Sequence, residues 1–142
     1  MLGAVGPQVK GAGKILVVSF HDFDGTPALA DLERIVDQAK ERGADLVEIT
    51  TNVRGVDDVR CLASLLISRA DKDLVVIGMG RNGVVTRILF PALGSLMTFA
   101  AALGHHTAPG QLPYQEMFQT LRSLYPDYNE EKIIKLKLLE CV

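Results

Sequence analysis

Residues 14–51 read KILVVSFHDFDGTPALADLERIVDQAKERGADLVEITT, and the fold follows from them. The opening KILVVSF, residues 14–20, is short, β-branched and apolar throughout, as in a strand buried on both faces. The turn His21-Asp22-Phe23-Asp24-Gly25 follows. Thr26 is a good N-cap and Pro27 a good first helical residue. Leu29, Leu32, Val36 and Ala39 then recur on one helical face, widened by Ile35, until Gly43 stops the helix. Residues 44–51, ADLVEITT, are strand-like again. This is one βαβ unit, which implies two parallel strands joined by a right-handed crossover.

The same rhythm continues outward. Val56, Val59, Leu62, Ala63 and Leu66 mark a second amphipathic helix ending near Ala70. Residues 73–80, DLVVIGMG, form a third strand, and residues 83–90 a short helix stopped by Pro91. Residues 95–103 read as a fourth strand. Pro113 opens a last helix with Tyr114, Met117, Phe118, Leu121 and Tyr125 on its face. Strands recur every roughly 25–30 residues, giving an α/β chain of four parallel βα units. Gly-rich residues 1–13 are expected to be a flexible lead-in to one domain over 14–126. The tail, 127–142, alternates as a strand would over Ile134 to Leu138, yet its Glu and Lys content equally suits a helix.

Composition excludes several classes. A chain of 142 residues is one domain's worth, and 48 % apolar with 23 % charged residues excludes wholesale disorder. Fifteen Lys and Arg against seventeen Asp and Glu leave no basic excess for nucleic acid. Cys61 and Cys141 are too few for a disulfide scaffold. The start, MLGAVGPQVK, has no secretory signature. The longest stretch without a charge or His, residues 88–104, is broken by Pro91 and Gly94 and falls short of the roughly 20 residues of a membrane span. The expectation is a cytoplasmic protein with reduced thiols and neither a nucleic-acid nor a membrane partner.

Parallel βα folds gather their binding groups at the carboxyl ends of the strands. Those ends supply His21 and Asp22, then Glu48 to Asn52, then Met79, Arg81 and Asn82, and finally Phe99 with the loop GHHTAPGQ holding His105, His106, Thr107 and Gln111. The set suits an anionic, hydroxylated small molecule better than a metal or a nucleotide. Gly78-x-Gly80-x-x-Gly83 matches the dinucleotide fingerprint, but Pro91 cuts the next helix short and no Asp or Glu stands between Val84 and Gln115 to hold a ribose. A tight turn in which Arg81 to Gly83 approach a ligand or a neighbouring backbone is the better reading. Gly13-Lys14 lacks the first glycine and the Ser or Thr of a P-loop. Adjacent His105 and His106 have no further ligand at metal spacing. No metal and no cofactor are expected. Glu48, inside an apolar strand, needs a partner or a cleft. Arg87, one strand away, is the natural candidate for an ion pair, or alternatively for a substrate carboxylate.

Ser19-Phe20-His21-Asp22-Phe23 with Thr26-Pro27 resembles the catalytic-histidine segment of the type I 3-dehydroquinate dehydratases of the shikimate pathway. The resemblance continues through Ala44-Asp45-Leu46 and Asp58-Val59, then Gly78-Met79-Gly80 with Gly83-Val84-Val85-Thr86-Arg87. It closes with Gly94-Ser95-Leu96-Met97-Thr98-Phe99 and Ala108-Pro109-Gly110-Gln111. It implies half of a (βα)₈ TIM barrel, the last four units. It also implies His21 as general acid/base and Arg87 as the group on the substrate carboxylate. Gln111, with Thr107 in place of a serine, would close a loop on substrate hydroxyls, and Met79 and Phe99 would wall the pocket.

Two departures stand beside it. The family's Schiff-base lysine falls at position 48, which is Glu48, and a carboxylate cannot condense with a ketone. The acidic and arginine residues of the family's first half have no counterpart. The expectation is therefore a dehydratase-like half barrel, impaired in catalysis, still binding a dehydroquinate-like or quinate-like acid; a relic of a longer enzyme falls within it. One alternative is an active lyase using His21 and Glu48 as an acid/base pair without a Schiff base. Another is a non-catalytic sensory or interaction module. Four parallel strands leave open edges and a bare face, so a homodimer, or alternatively the tail folded over the opening, is expected to cover them.

Overall fold

A computed structural model describes residues 2–69, 73–102 and 108–125. The tail therefore lies outside the described residues, as does Thr107. Three parallel strands, β1 (Val17–Asp22), β2 (Leu46–Asn52) and β3 (Leu74–Met79), form one sheet in the order β1-β2-β3. Helices α2 (Leu29–Glu41) and α3 (Val56–Ser68) are the crossovers. After β3 come a 3₁₀ turn (Arg81–Gly83), α4 (Val84–Leu89), a second 3₁₀ turn (Phe90–Leu93) and α5 (Tyr114–Leu124). The architecture agrees with half of a (βα)₈ barrel.

Register divides the sheet into two chemistries. Ser19 pairs with Glu48 and Glu48 with Val75, while His21 pairs with Thr50 and Thr50 with Ile77. Side chains alternate along a strand, so these residues share one face. The opposite face carries Val47, Ile49, Leu74 and Val76, which pack on Leu32, Val36 and Ala39 of α2 and on Leu62, Leu65 and Leu66 of α3. The apolar stripes of both helices are thus where their spacing puts them, except that Val56 is exposed and Leu65 joins the core. On the polar face, a smaller cluster of Leu46, Val75 and Ile77 is covered by Met97 and Phe99.

Four expectations need correction. First, residues 95–102 form no strand. The Val76 N–H is taken by the Ser95 hydroxyl at 3.0 Å, and only Leu96 N–H reaches β3, on the Leu74 carbonyl at 2.9 Å. A side chain has replaced the carbonyl that a ladder needs, and Ala101 makes only an isolated bridge with Pro113. Second, β1 is not buried on both faces. It is an edge strand whose residues alternate between exposed and half-buried. Third, the lead-in includes a helix, α1 (Leu2–Gly11). Its end is closed at Gly13, whose N–H reaches the Lys10 carbonyl with φ at +66°. Fourth, Thr26 does not cap α2. Its hydroxyl lies 2.8 Å from Thr51 Oγ1 and donates to the Asn52 carbonyl, and α2 starts two residues later with Ala28 as its cap.

The amino ends of the strands are held by charge. Asp45 Oδ2 accepts the Leu16 N–H at 2.8 Å, and Lys10 lies 3.6 Å from Oδ1. That backbone N–H, helped by Lys10 and Lys40, holds the Asp45 carboxyl below its ordinary range. Its contribution is in place at neutral pH and fades as pH falls through the lowered value. Among the described residues, no helix is long and apolar enough to cross a membrane. Leu32 is fully buried between helix and sheet. Leu32→Ala is expected to cost about 2–5 kcal/mol, read as a lower urea midpoint at an unchanged slope.

Candidate functional site

The polar face of β1 and β2 brings four polar side chains together, with Ser19 and Glu48 near mid-strand and His21 and Thr50 nearer the carboxyl ends. Glu48 is the hub. Its Oε2 accepts from the Ser19 hydroxyl at 2.8 Å and its Oε1 from the Thr50 hydroxyl at 2.9 Å. His21 Nε2 stands 3.5 Å from Oε1, an ion-pair rather than a hydrogen-bond distance. The Glu48 side chain is 17 % exposed and that of His21 44 %, so the imidazole is the open member of the pair. Two hydroxyls and an imidazole meet the need of a carboxylate in an apolar strand, and the ion pair expected with Arg87 is not made. Ser19 and Thr50 were not singled out from sequence. The signal was there, since each sits two residues from a chosen site residue and therefore on its face.

Arg87 is placed by a different device. Gly78, next to last in β3, lies against Gly83, where an added Cβ would overlap the Gly78 carbonyl carbon. Thr86 locks this approach, accepting the Gly78 N–H at 2.8 Å and donating to the Gly83 carbonyl. The fingerprint glycines thus serve close backbone contact, as expected of a tight turn. Arg87 follows Thr86 and is 2 % exposed. Its Nη1 donates to the Phe99 carbonyl at 3.2 Å, while its buried Nε has no partner. Burial lowers the guanidinium's pKa, yet an arginine keeps its charge at neutral pH. A buried cation with a spare donor and no carboxylate beside it among the described residues is suited to an anion.

The remaining candidates divide. Met79 and Phe99 lie on the polar face of the sheet, Phe99 over the cluster of Leu46, Val75 and Ile77, so both can act as walls. Gln111 follows a turn packed on the end of β3, where Gly80 N–H meets the Pro109 carbonyl at 3.3 Å and Gly110 touches the Gly80 carbonyl. Lys10 and Lys40 lie with Asp45 and Asp73 at the opposite, amino ends of the strands.

The chain and its fold are similar to known proteins. A family model described as type I 3-dehydroquinase matches residues 5–128. The 3-dehydroquinate dehydratase of Thermodesulfovibrio yellowstonii is 34 % identical over 102 residues, which cover 72 % of this chain and 45 % of that protein. The 3-dehydroquinate dehydratase of Methanothrix thermoacetophila is 36 % identical over 108 residues, covering 76 % and 46 %. The crystal structure of 3-dehydroquinate dehydratase from Geobacillus kaustophilus superposes with a TM-score of 0.83 at 30 % identity, over 90 % of this chain and 50 % of that one. A type I enzyme from Clostridium difficile, solved with covalently modified comenic acid, gives 0.81 at 25 % identity over 89 % and 51 %. The chain spans about half the length of the curated relatives it matches.

Thr86→Val keeps the shape of the side chain but strands the buried Gly78 N–H. It is expected to cost about 1–3 kcal/mol in thermal or urea unfolding. Gly83→Ala, which drives a methyl into the Gly78 backbone, should cost at least as much.

Proposed function

The chain belongs to the type I 3-dehydroquinase family, and from that premise we propose that it binds a hydroxylated carboxylic acid of the dehydroquinate or quinate kind without forming a Schiff base. One observation carries the reading: at the position where the family resemblance puts the reactive lysine stands Glu48, engaged by Ser19, Thr50 and His21. In the amine route a lysine condenses with the substrate ketone and releases water. The resulting iminium acidifies the neighbouring C–H, a base takes that proton, and the hydroxyl leaves. A carboxylate has no nitrogen with which to form the iminium. Binding does not need it. Arg87 offers a buried cation for the ligand carboxylate, and His21 faces the same side as Glu48 with its ring exposed. Gln111 and Thr107 would meet ligand hydroxyls, and Met79 and Phe99 would border the ring.

The 3.5 Å His21–Glu48 contact favours one second reading, proton removal by this pair through an enolate. Positioned acid/base groups supply about 10²–10⁴-fold by themselves. We also propose that the protein works in the cytoplasm as a homodimer. Among the described residues the outer edge of β1 has no partner strand, and Val17 and His21 are exposed beside it; a second copy laid on that side would cover both edge and face.

The expected outcome with 3-dehydroquinate is no enone product and no borohydride-trapped adduct. Quinate or dehydroquinate should still raise the melting temperature, and Arg87→Lys should weaken their binding about tenfold or more. Glu48→Lys should make the adduct trappable. A borohydride adduct on the unmodified chain overturns the main reading; turnover without trapping moves the case to the enolate route; no thermal shift with any such acid leaves only a non-catalytic interaction module. Light scattering on a sizing column should give twice the chain mass at micromolar concentration. A monomer there that binds no hydrophobic dye would exclude the dimer.

A further inference from the structure

The loops at the carboxyl ends of the strands are fastened to one another, and a single side chain joins the first two. Arg54, between β2 and α3, donates through Nε to the Asp24 carbonyl at 2.9 Å, and its Nη2 donates to the same oxygen. The guanidinium fills the space beside Gly25, where an added Cβ would lie 2.9 Å from Cζ. Asp24 and Gly25 form the turn that leaves His21. Asp22 closes that turn from within, its Oδ1 accepting the Asp24 N–H at 2.9 Å and the Gly25 N–H at 3.1 Å.

Arg54 is itself anchored on two sides. Its N–H donates to Asp58 Oδ2 in the first turn of α3 at 2.7 Å. Its carbonyl accepts from Asn82 Nδ2, in the turn after β3, at 2.9 Å. Through it the turn after His21 is tied to both neighbouring βα units. An exposed arginine on a carbonyl adds little to stability by itself. Its convergence with a glycine that leaves room for it, on the segment carrying one imidazole, gives the contact a direction.

We infer that Arg54 is a positioning residue: by gripping the Asp24 carbonyl it sets how the His21 imidazole stands against Glu48. The inference rests on the reading of His21 and Glu48 as the working pair and adds the side chain that governs their geometry. Arg54 reaches His21 only through the backbone between them.

The test follows the imidazoles directly. The chain has three histidines, so histidine labelled with ¹³C and ¹⁵N gives three sets of ring signals, and His21→Gln assigns one. Glu48→Gln calibrates how far that set moves when its partner changes. Arg54→Ala is expected to move the His21 signals by a comparable amount while the other two sets stay in place. Gly25→Ala, which pushes the flexible guanidinium off the turn, should reproduce the shift. Arg54→Lys, which keeps a donor for the Asp24 carbonyl, should restore most of the original position. His21 signals unmoved in both Arg54→Ala and Gly25→Ala overturn the inference; so does a shift shared by all three histidines that Arg54→Lys does not reverse. The readout needs no ligand. If quinate-like acids fail to bind while His21 responds, the functional reading falls and this one stands.

Discussion

The contact between the backbones at Gly78 and Gly83 governs the rest of the molecule. Hydrogen on the Gly83 α-carbon permits it, because a methyl there would overlap the Gly78 carbonyl, while a methyl on Gly78 would run first into Val53. Thr86 secures it with one accepted and one donated hydrogen bond. The chain therefore turns from β3 into α4 within a few residues and delivers Arg87 into the interior. The same turn leaves Gly80 as a platform for the segment that precedes Gln111. A cation and an amide of the candidate site thus owe their places to a steric fact about two glycines.

The polar face adds the complementary half. A carboxylate held by two hydroxyls and approached by an imidazole sits on the polar face of β1 and β2. The positive group inside the protein is kept apart from that carboxylate rather than neutralised by it. Charge separated in this way costs free energy, since each group must find its solvation elsewhere. Glu48 finds it in Ser19, Thr50 and His21; Arg87 finds part of it in the Phe99 carbonyl and leaves Nε open.

Much of this was legible in the sequence. Helices announced themselves by their stripes: Leu32, Val36 and Ala39, then Leu62 and Leu66, are buried as their spacing requires. The positions of β1, β2 and β3 were clear to within two or three residues. What escaped were competitions decided by single side chains. Ser95 spent its hydroxyl on the Val76 N–H and so removed a ladder position from the expected fourth strand. Thr26 gave its hydroxyl to Thr51 and the Asn52 carbonyl of β2 instead of accepting from the N–H groups of the helix start. Charge alone left Arg87 open between an ion pair with Glu48 and a substrate carboxylate, whereas two hydroxyls on the same face lie beside the Glu48 carboxylate. Periodicity reports which face a residue takes, and it is silent about which of several donors arrives first.

The ladders have a kinetic side as well. Val17 pairs with Leu46 and Val47 with Leu74, so each new strand docks after a chain excursion of roughly 30 residues. The entropy of closing a loop grows only with the logarithm of its length. Each βα unit therefore pays a similar and modest toll to join the one before it, and the sheet can grow by accretion in chain order. Such a chain can mature strand by strand as it leaves the ribosome.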